Sequence, residues 1–186
     1  MRALIITALF GLTALADQLL SRNFPHLIIP LNSYDPNTPV NTQTSFIIQK
    51  GIWTEFSFDV PSTAATYCRF GFTISLDPVR GAPWALWGTA DPFLVNVAEL
   101  PNDSINKDKD TWNKHPQPIG NVATLAVYKS GATNFTWQKP ISCQKGQVAQ
   151  FLLQPAQPDA DGGLTWYELT DPLHGITYDM FLPGEE

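Results

Sequence analysis

Residues 66–76 read TYCRFGFTISL, and every second one is apolar: Cys68, Phe70, Phe72, Ile74 and Leu76 alternate with Arg69, Gly71, Thr73 and Ser75. A period of two lays one face of a β-strand on a core, whereas a helix needs apolar residues three and four apart. The alternation recurs in WTEFSFDV (Trp53, Phe56, Phe58 and Val60, after one slip), in FLVNVAEL (Phe93, Val95, Val97) and in VATLAVY. In QVAQFLL it puts Ala149, Phe151 and Leu153 on one face. Clusters of Pro, Gly, Asn and Asp separate these runs, as in PLNSYDPNTP, DPVRGAPW, LPNDSINKDKD and QPAQPDADGG. Sixteen prolines would interrupt any long helix. The sequence leaves room for a short helical turn around residues 103–108 and no more. The expected fold is all-β: a single-domain antiparallel β-sandwich, jelly-roll-like.

The N-terminus sets a compartment. Arg2 precedes ALIITALFGLTAL, and the small-x-small triplet Ala14-Leu15-Ala16 stands before Asp17, which is the pattern of a cleaved signal peptide over residues 1–16. The apolar run is too short to span a bilayer, which takes roughly 20 residues. No later stretch is apolar enough to span one, and the tail PGEE is acidic. The mature chain, residues 17–186, is expected to form one secreted domain. Of 11 Lys and Arg it loses Arg2, leaving 10 against 17 Asp and Glu, a net charge of −7. Nucleic acid and anionic lipid are held by clustered cations, so neither is an expected partner.

Cys68 and Cys143 are the only cysteines, and an oxidising compartment would pair them. Closing a loop of about 75 residues stabilises a fold by roughly 4 kcal/mol in the chain-entropy view. The alternative is one buried thiol and one reactive thiol.

Motifs with chemistry are few. Asn102-Asp103-Ser104 and Asn134-Phe135-Thr136 are N-glycosylation acceptors. PDADGG places Asp159 and Asp161 before Gly162, but the acid that an EF-hand loop needs at its end would fall on Thr170. A turn whose Asp side chains bond their own backbone is the expectation there. His26, His115 and His174 stand apart from any second ligand at zinc spacing, and no metal or cofactor is implied. No nucleophile elbow, H-E-x-x-H or phosphate loop occurs. Glu55 and Asp59 share strand parity and are expected on an outward, solvated face; a glycosidase would need such carboxyls converging in a cleft.

Six tryptophans remain. Trp53, Trp137 and Trp166 lie on or beside strands and are expected in the core. Trp84 and Trp87, in WALW, and Trp112, in TWNKHPQPIG, are candidate ligand-binding residues together with Asn113, because exposed aromatic faces stack on sugars. In the rival structural reading Trp112 packs into the sandwich, Asn113 bonds loop backbone, and Pro116 and Pro118 stiffen the chain.

Five stretches in order carry a family likeness: FPHLIIPLNSYDPNTPVNTQ, FSFDVP, YCRFGFTI, TWNKHPQPIG and ISCQKG. Together they resemble the fungal ubiquitin-binding protein But-two C-terminal domain family over about residues 24–182. The resemblance implies an exported, ascomycete-type β-sandwich and supplies no catalytic residues. Its name implies a ubiquitin-pathway partner, with which a signal peptide and a disulfide disagree. TWNKHP is also similar to a Trp-Asn-x-x-Pro segment of some jelly-roll carbohydrate-binding modules.

The functional expectation is a non-enzymatic binding module at the cell wall or host surface, with polysaccharide as first ligand. A cell-wall hydrolase with an unrecognised acid pair and a protein-binding effector, taking a host or extracellular protein, are the rivals.

Overall fold

A computed structural model describes residues 17–183; the expected leader at residues 1–16 lies outside them. Among the described residues all regular structure is strand: β1 Gln18–Asn23, β2 Leu27–Asn32, β3 Ser45–Gln49, β4 Ile52–Asp59, β5 Tyr67–Thr73, β6 Trp84–Trp87, β7 Phe93–Glu99, β8 Gly120–Val127, β9 Thr133–Gln138, β10 Val148–Pro155, β11 Gly163–Tyr167 and β12 Gly175–Leu182. Every ladder is antiparallel. One sheet runs β1-β12-β5; the other runs β6-β11-β3-β4-β10-β7-β8-β9, with β2 also paired to β4. No helix among the described residues is long and apolar enough to cross a membrane.

The large sheet folds back on itself at the β3–β4 hairpin. These strands share only the pair Gln49↔Ile52; β2 then takes the edge of β4, and β3 pairs along its length with β11. Phe46 and Ile48 of β3, Leu164 and Trp166 of β11 and Tyr178 of β12 therefore meet Phe56 and Phe58 of β4 and Phe151 of β10 in one core. The aromatic faces interlock: Phe46 stacks on Trp166 at 4.5 Å, and Tyr178 on Phe58 at 5.3 Å. The alternation read from β4, β5, β7 and β10 is what fills this space.

β5 and β9 close the sandwich without pairing as strands. Gln138 of β9 accepts from the Phe70 N–H at 2.6 Å and donates to the Phe70 carbonyl at 3.3 Å, while Thr133 Oγ1 donates to the Phe72 carbonyl at 3.1 Å. Next to this seam Cys68 and Ile141 exchange both main-chain bonds, and Cys68 is joined to Cys143 with Cα atoms 5.2 Å apart. The disulfide alternative is thereby the one realised.

Several expectations change. Residues 103–108 form turns rather than a helical turn; Asn106 Oδ1 accepts the Asp108 N–H, which favours a turn over helix. β5 ends at Thr73; Ile74 still turns into the core as expected, but Leu76 is 61% exposed, resting against Gly131. The slip read in β4 is no bulge: Trp53 faces outward, opposite to Phe56 and Phe58, and joins a second cluster with Leu31, Ala98, Leu100 and Leu152. Trp166 is buried as expected, but Trp137 is 48% exposed. A bulge is responsible. Leu125 pairs with Phe135 and Thr124 with Trp137, so Thr136 is the extra residue and the parity flips after it.

Candidate functional site

At the β6 edge the pleat separates the two tryptophans of WALW. Trp84, opposite Trp166, turns inward and packs half-buried on the core, whereas Trp87 is 37% exposed on the other face. Trp87 pairs with Gly163, which pairs with Gln49. A Cβ on Gly163 would stand 2.5 Å from Trp87 Cζ2 and 2.7 Å from Gln49 Cβ, so the missing side chain is what lets the indole lie across β11. Beside it Gly88 (φ 92°) and Gly162 (φ 111°) bring two turns together; a Cβ on Gly88 would lie 2.4 Å from Gly162 Cα.

Trp87 forms one wall of a groove of about 370 Å³ whose other polar and aromatic groups are Tyr34, Gln49, Lys50, Asp159 and Asp161. Tyr34 is 72% exposed, and its hydroxyl lies 3.4 Å from the Lys50 carbonyl. Lys50 Nζ bonds Asp159 Oδ1 at 2.9 Å, which holds that carboxyl below its usual range. Thr89 donates to Asp161 Oδ2 at 3.2 Å. The turn expected in PDADGG forms, with the Ala160 N–H on the Gln157 carbonyl, but its Asp side chains bind Lys50 and Thr89 rather than their own backbone. Two aromatic walls around an amide, an ammonium and two carboxylates offer stacking and directional hydrogen bonds together.

TWNKHPQPIG lies elsewhere. The 101–119 segment leaves and re-enters the sheet at one place, where the Leu100 N–H bonds the Gln150 carbonyl and the Ile119 N–H bonds the Glu99 carbonyl. Between these points it covers the outer face of β4, β10 and β7. Trp112 lies tilted against Trp53, centroids 4.6 Å apart, with His115 edge-on to Trp53 at 6.2 Å. Trp112 is thus a packing residue, but half-buried on the outer face of the large sheet rather than inside the sandwich. Asn113 differs in detail: its side chain bonds Asn37 Oδ1 at 3.0 Å, and only its own N–H reaches loop backbone, at Pro36.

Under this cover Glu55 is fully buried, which overturns the solvated position expected for it, while Asp59 stays exposed as expected; the 101–119 segment is what excludes the water. Neither Glu55 oxygen has a donor among the described residues. Burial first, and then the neighbouring Asp110, push its carboxyl up to about 9. A protonated Glu55 can donate to Asp110, itself 7% exposed and raised by burial. Glu168 is the second such acid: burial lifts it to about 8, although its Oε2 accepts from Trp166 Nε1 at 3.0 Å and from the Ile176 N–H at 3.2 Å.

Of the carboxyl pair weighed for the hydrolase rival, Glu55 is buried beneath the 101–119 segment. Asp59 is exposed and meets His26 Nδ1 at 3.5 Å, while Ser57 Oγ lies 3.4 Å from His26 Nε2. The atoms follow the order of a Ser-His-Asp relay, but Ser57 is fully buried, so its oxygen offers no face to a substrate. Among the described residues no three His, Cys, Asp or Glu side chains gather to hold a metal.

Of the candidates read from sequence, Trp87 alone enters the groove, and Trp84, Trp112 and Asn113 lie apart from it. Tyr34, Gln49 and Lys50 were missed. Their only signal was position: Gln49 and Lys50 occupy the β3–β4 hairpin, and Tyr34 follows β2. Of the glycosylation acceptors, Asn102 donates to Gln147 Oε1 at 3.1 Å, and Asn134 is exposed on β9.

The family model described as ubiquitin 3 binding protein But2 C-terminal domain matches residues 23–172. Among curated proteins none matches the chain.

Proposed function

We propose a function from one premise: the chain belongs to the But2 C-terminal domain family. It acts as a non-catalytic binding module, exported to the cell wall or host surface, and the Trp87–Tyr34 groove takes a polysaccharide. The observation that carries this reading is the exposed Trp87 indole laid across Gly163 beside Tyr34. Sugar rings present C–H faces to such walls and hydroxyls to Gln49, Lys50, Asp159 and Asp161. The acidic chain, the disulfide and the leader-like N-terminus support export. The first strand begins at Gln18, so cleavage after Ala16 would leave every described strand in place.

The family's description favours a second reading, a protein-binding module whose partner is ubiquitin-like. One experiment separates the two. The mature, oxidised protein is passed over chitin, glucan, mannan and cellulose, and titrated with ubiquitin, while tryptophan fluorescence is followed. Retention on a glycan that Trp87→Ala abolishes and Trp112→Ala preserves is expected. No retention on any glycan removes the polysaccharide reading, and saturable binding of ubiquitin in its place establishes the second.

A further inference from the structure

The β9 bulge does more than expose Trp137. Along an undistorted strand Asn134 would share its face with Thr136, two positions on; the extra residue at Thr136 hands that place to Trp137. Asn134 and Trp137 accordingly stand as successive residues on the outer face, about 7 Å apart along the strand. Both are exposed, and the Asn134 carboxamide makes no hydrogen bond among the described residues. Thr136, the third residue of the acceptor triplet, uses its hydroxyl only on the Thr124 carbonyl at 3.3 Å. The Asn102 triplet is engaged differently: its carboxamide bonds Gln147, and Ser104 bonds the Pro101 carbonyl and Gln150 Oε1.

The geometry points to Asn134 as a modified residue: it carries an N-linked glycan whose first N-acetylglucosamine lies on the Trp137 indole. The sugar ring is large enough to bridge the two side chains, and its axial C–H groups meet the electron-rich face of the indole. The glycan then screens the most exposed tryptophan of the molecule, which lies on the last strand of the large sheet. Export is the one part of the proposed function on which this rests.

The test expresses the full chain in a fungal secretory host and reads the Asn134 glycopeptide by mass. Occupancy at Asn134, lost in Asn134→Gln, is expected. Trimming to a single sugar should keep the melting temperature, and Asn134→Gln should lower it by about 3 °C. In a Trp137→Ala background that difference should vanish. Protein in the medium with a bare Asn134 overturns the proposal while leaving export intact, and protein retained in the cell without glycan overturns both. A glycan-dependent shift equally large in Trp137→Ala overturns the stacking.

Discussion

The two faces of β4 bury side chains by different means. On the inner face Phe56 and Phe58 meet only apolar and aromatic partners supplied by regular strands. On the outer face an irregular segment covers Glu55 and half-buries Trp53, and carboxyl groups lie among the apolar ones. The inner face needs dryness and shape; the outer face needs a proton as well. An uncharged Glu55 can lie beside Asp110, which has the Asn106 N–H as a donor, whereas a charged Glu55 with no donor of its own could not remain buried facing that carboxylate cheaply.

Phe56→Ala is the largest test of this contrast. It should lower stability by about 3–5 kcal/mol in urea unfolding, because β4, β10 and β3 cannot collapse into the void. A loss no greater than that of Trp112→Ala would erase the distinction between the faces.

pH comes next. Glu55, raised to about 9, and Glu168, raised to about 8, hold protons in the folded chain that the unfolded chain releases near its ordinary carboxyl range. The folded state binds more protons, so their stabilising share is complete at acid pH and declines as pH rises towards 8–9. Glu55→Gln should remove a slope on the order of 1 kcal/mol per pH unit between about pH 5 and 8. Glu168→Gln, which keeps an acceptor for Trp166, should remove a similar part. A slope unchanged in the double variant would show that both acids are ionised in the fold.

Trp112→Ala should cost about 1–2 kcal/mol, since only a half-buried ring leaves Trp53. It should also expose the 101–119 amides to hydrogen exchange while those of β4 and β10 stay protected. Asn113→Ala should fall within about 0.5 kcal/mol, because its bond to Asn37 is exposed. Equal exchange on both faces after Trp112→Ala would mean that they unfold as one unit.

Inner-face residues were legible because strand alternation is local: Cys68, Phe70, Phe93, Val95, Phe151 and Leu153 declare themselves within a few positions. The outer burial was not, since nothing near Glu55 announces that Asp110 and Trp112 will come to cover it. Trp137 was misread for a different reason, a single inserted residue whose signal is no stronger than a threonine in a strand. Trp87 was legible as an aromatic in a Pro- and Gly-rich stretch, but its groove was not, because Gln49 and Lys50 reach it through the β3–β4 hairpin and Tyr34 from the turn after β2. Family likeness recovered the fold class and left the site open, as expected where one architecture can carry many sites.

Gln138 imitates a peptide group. By giving and taking one hydrogen bond at Phe70 it occupies the rung that another strand would need in order to add to β5. The sandwich is thus fastened shut along a margin where a neighbouring molecule could otherwise have continued the sheet. At high local concentration that carboxamide, with the Cys68–Ile141 pair beside it, is a safeguard against polymerising with other copies of the chain.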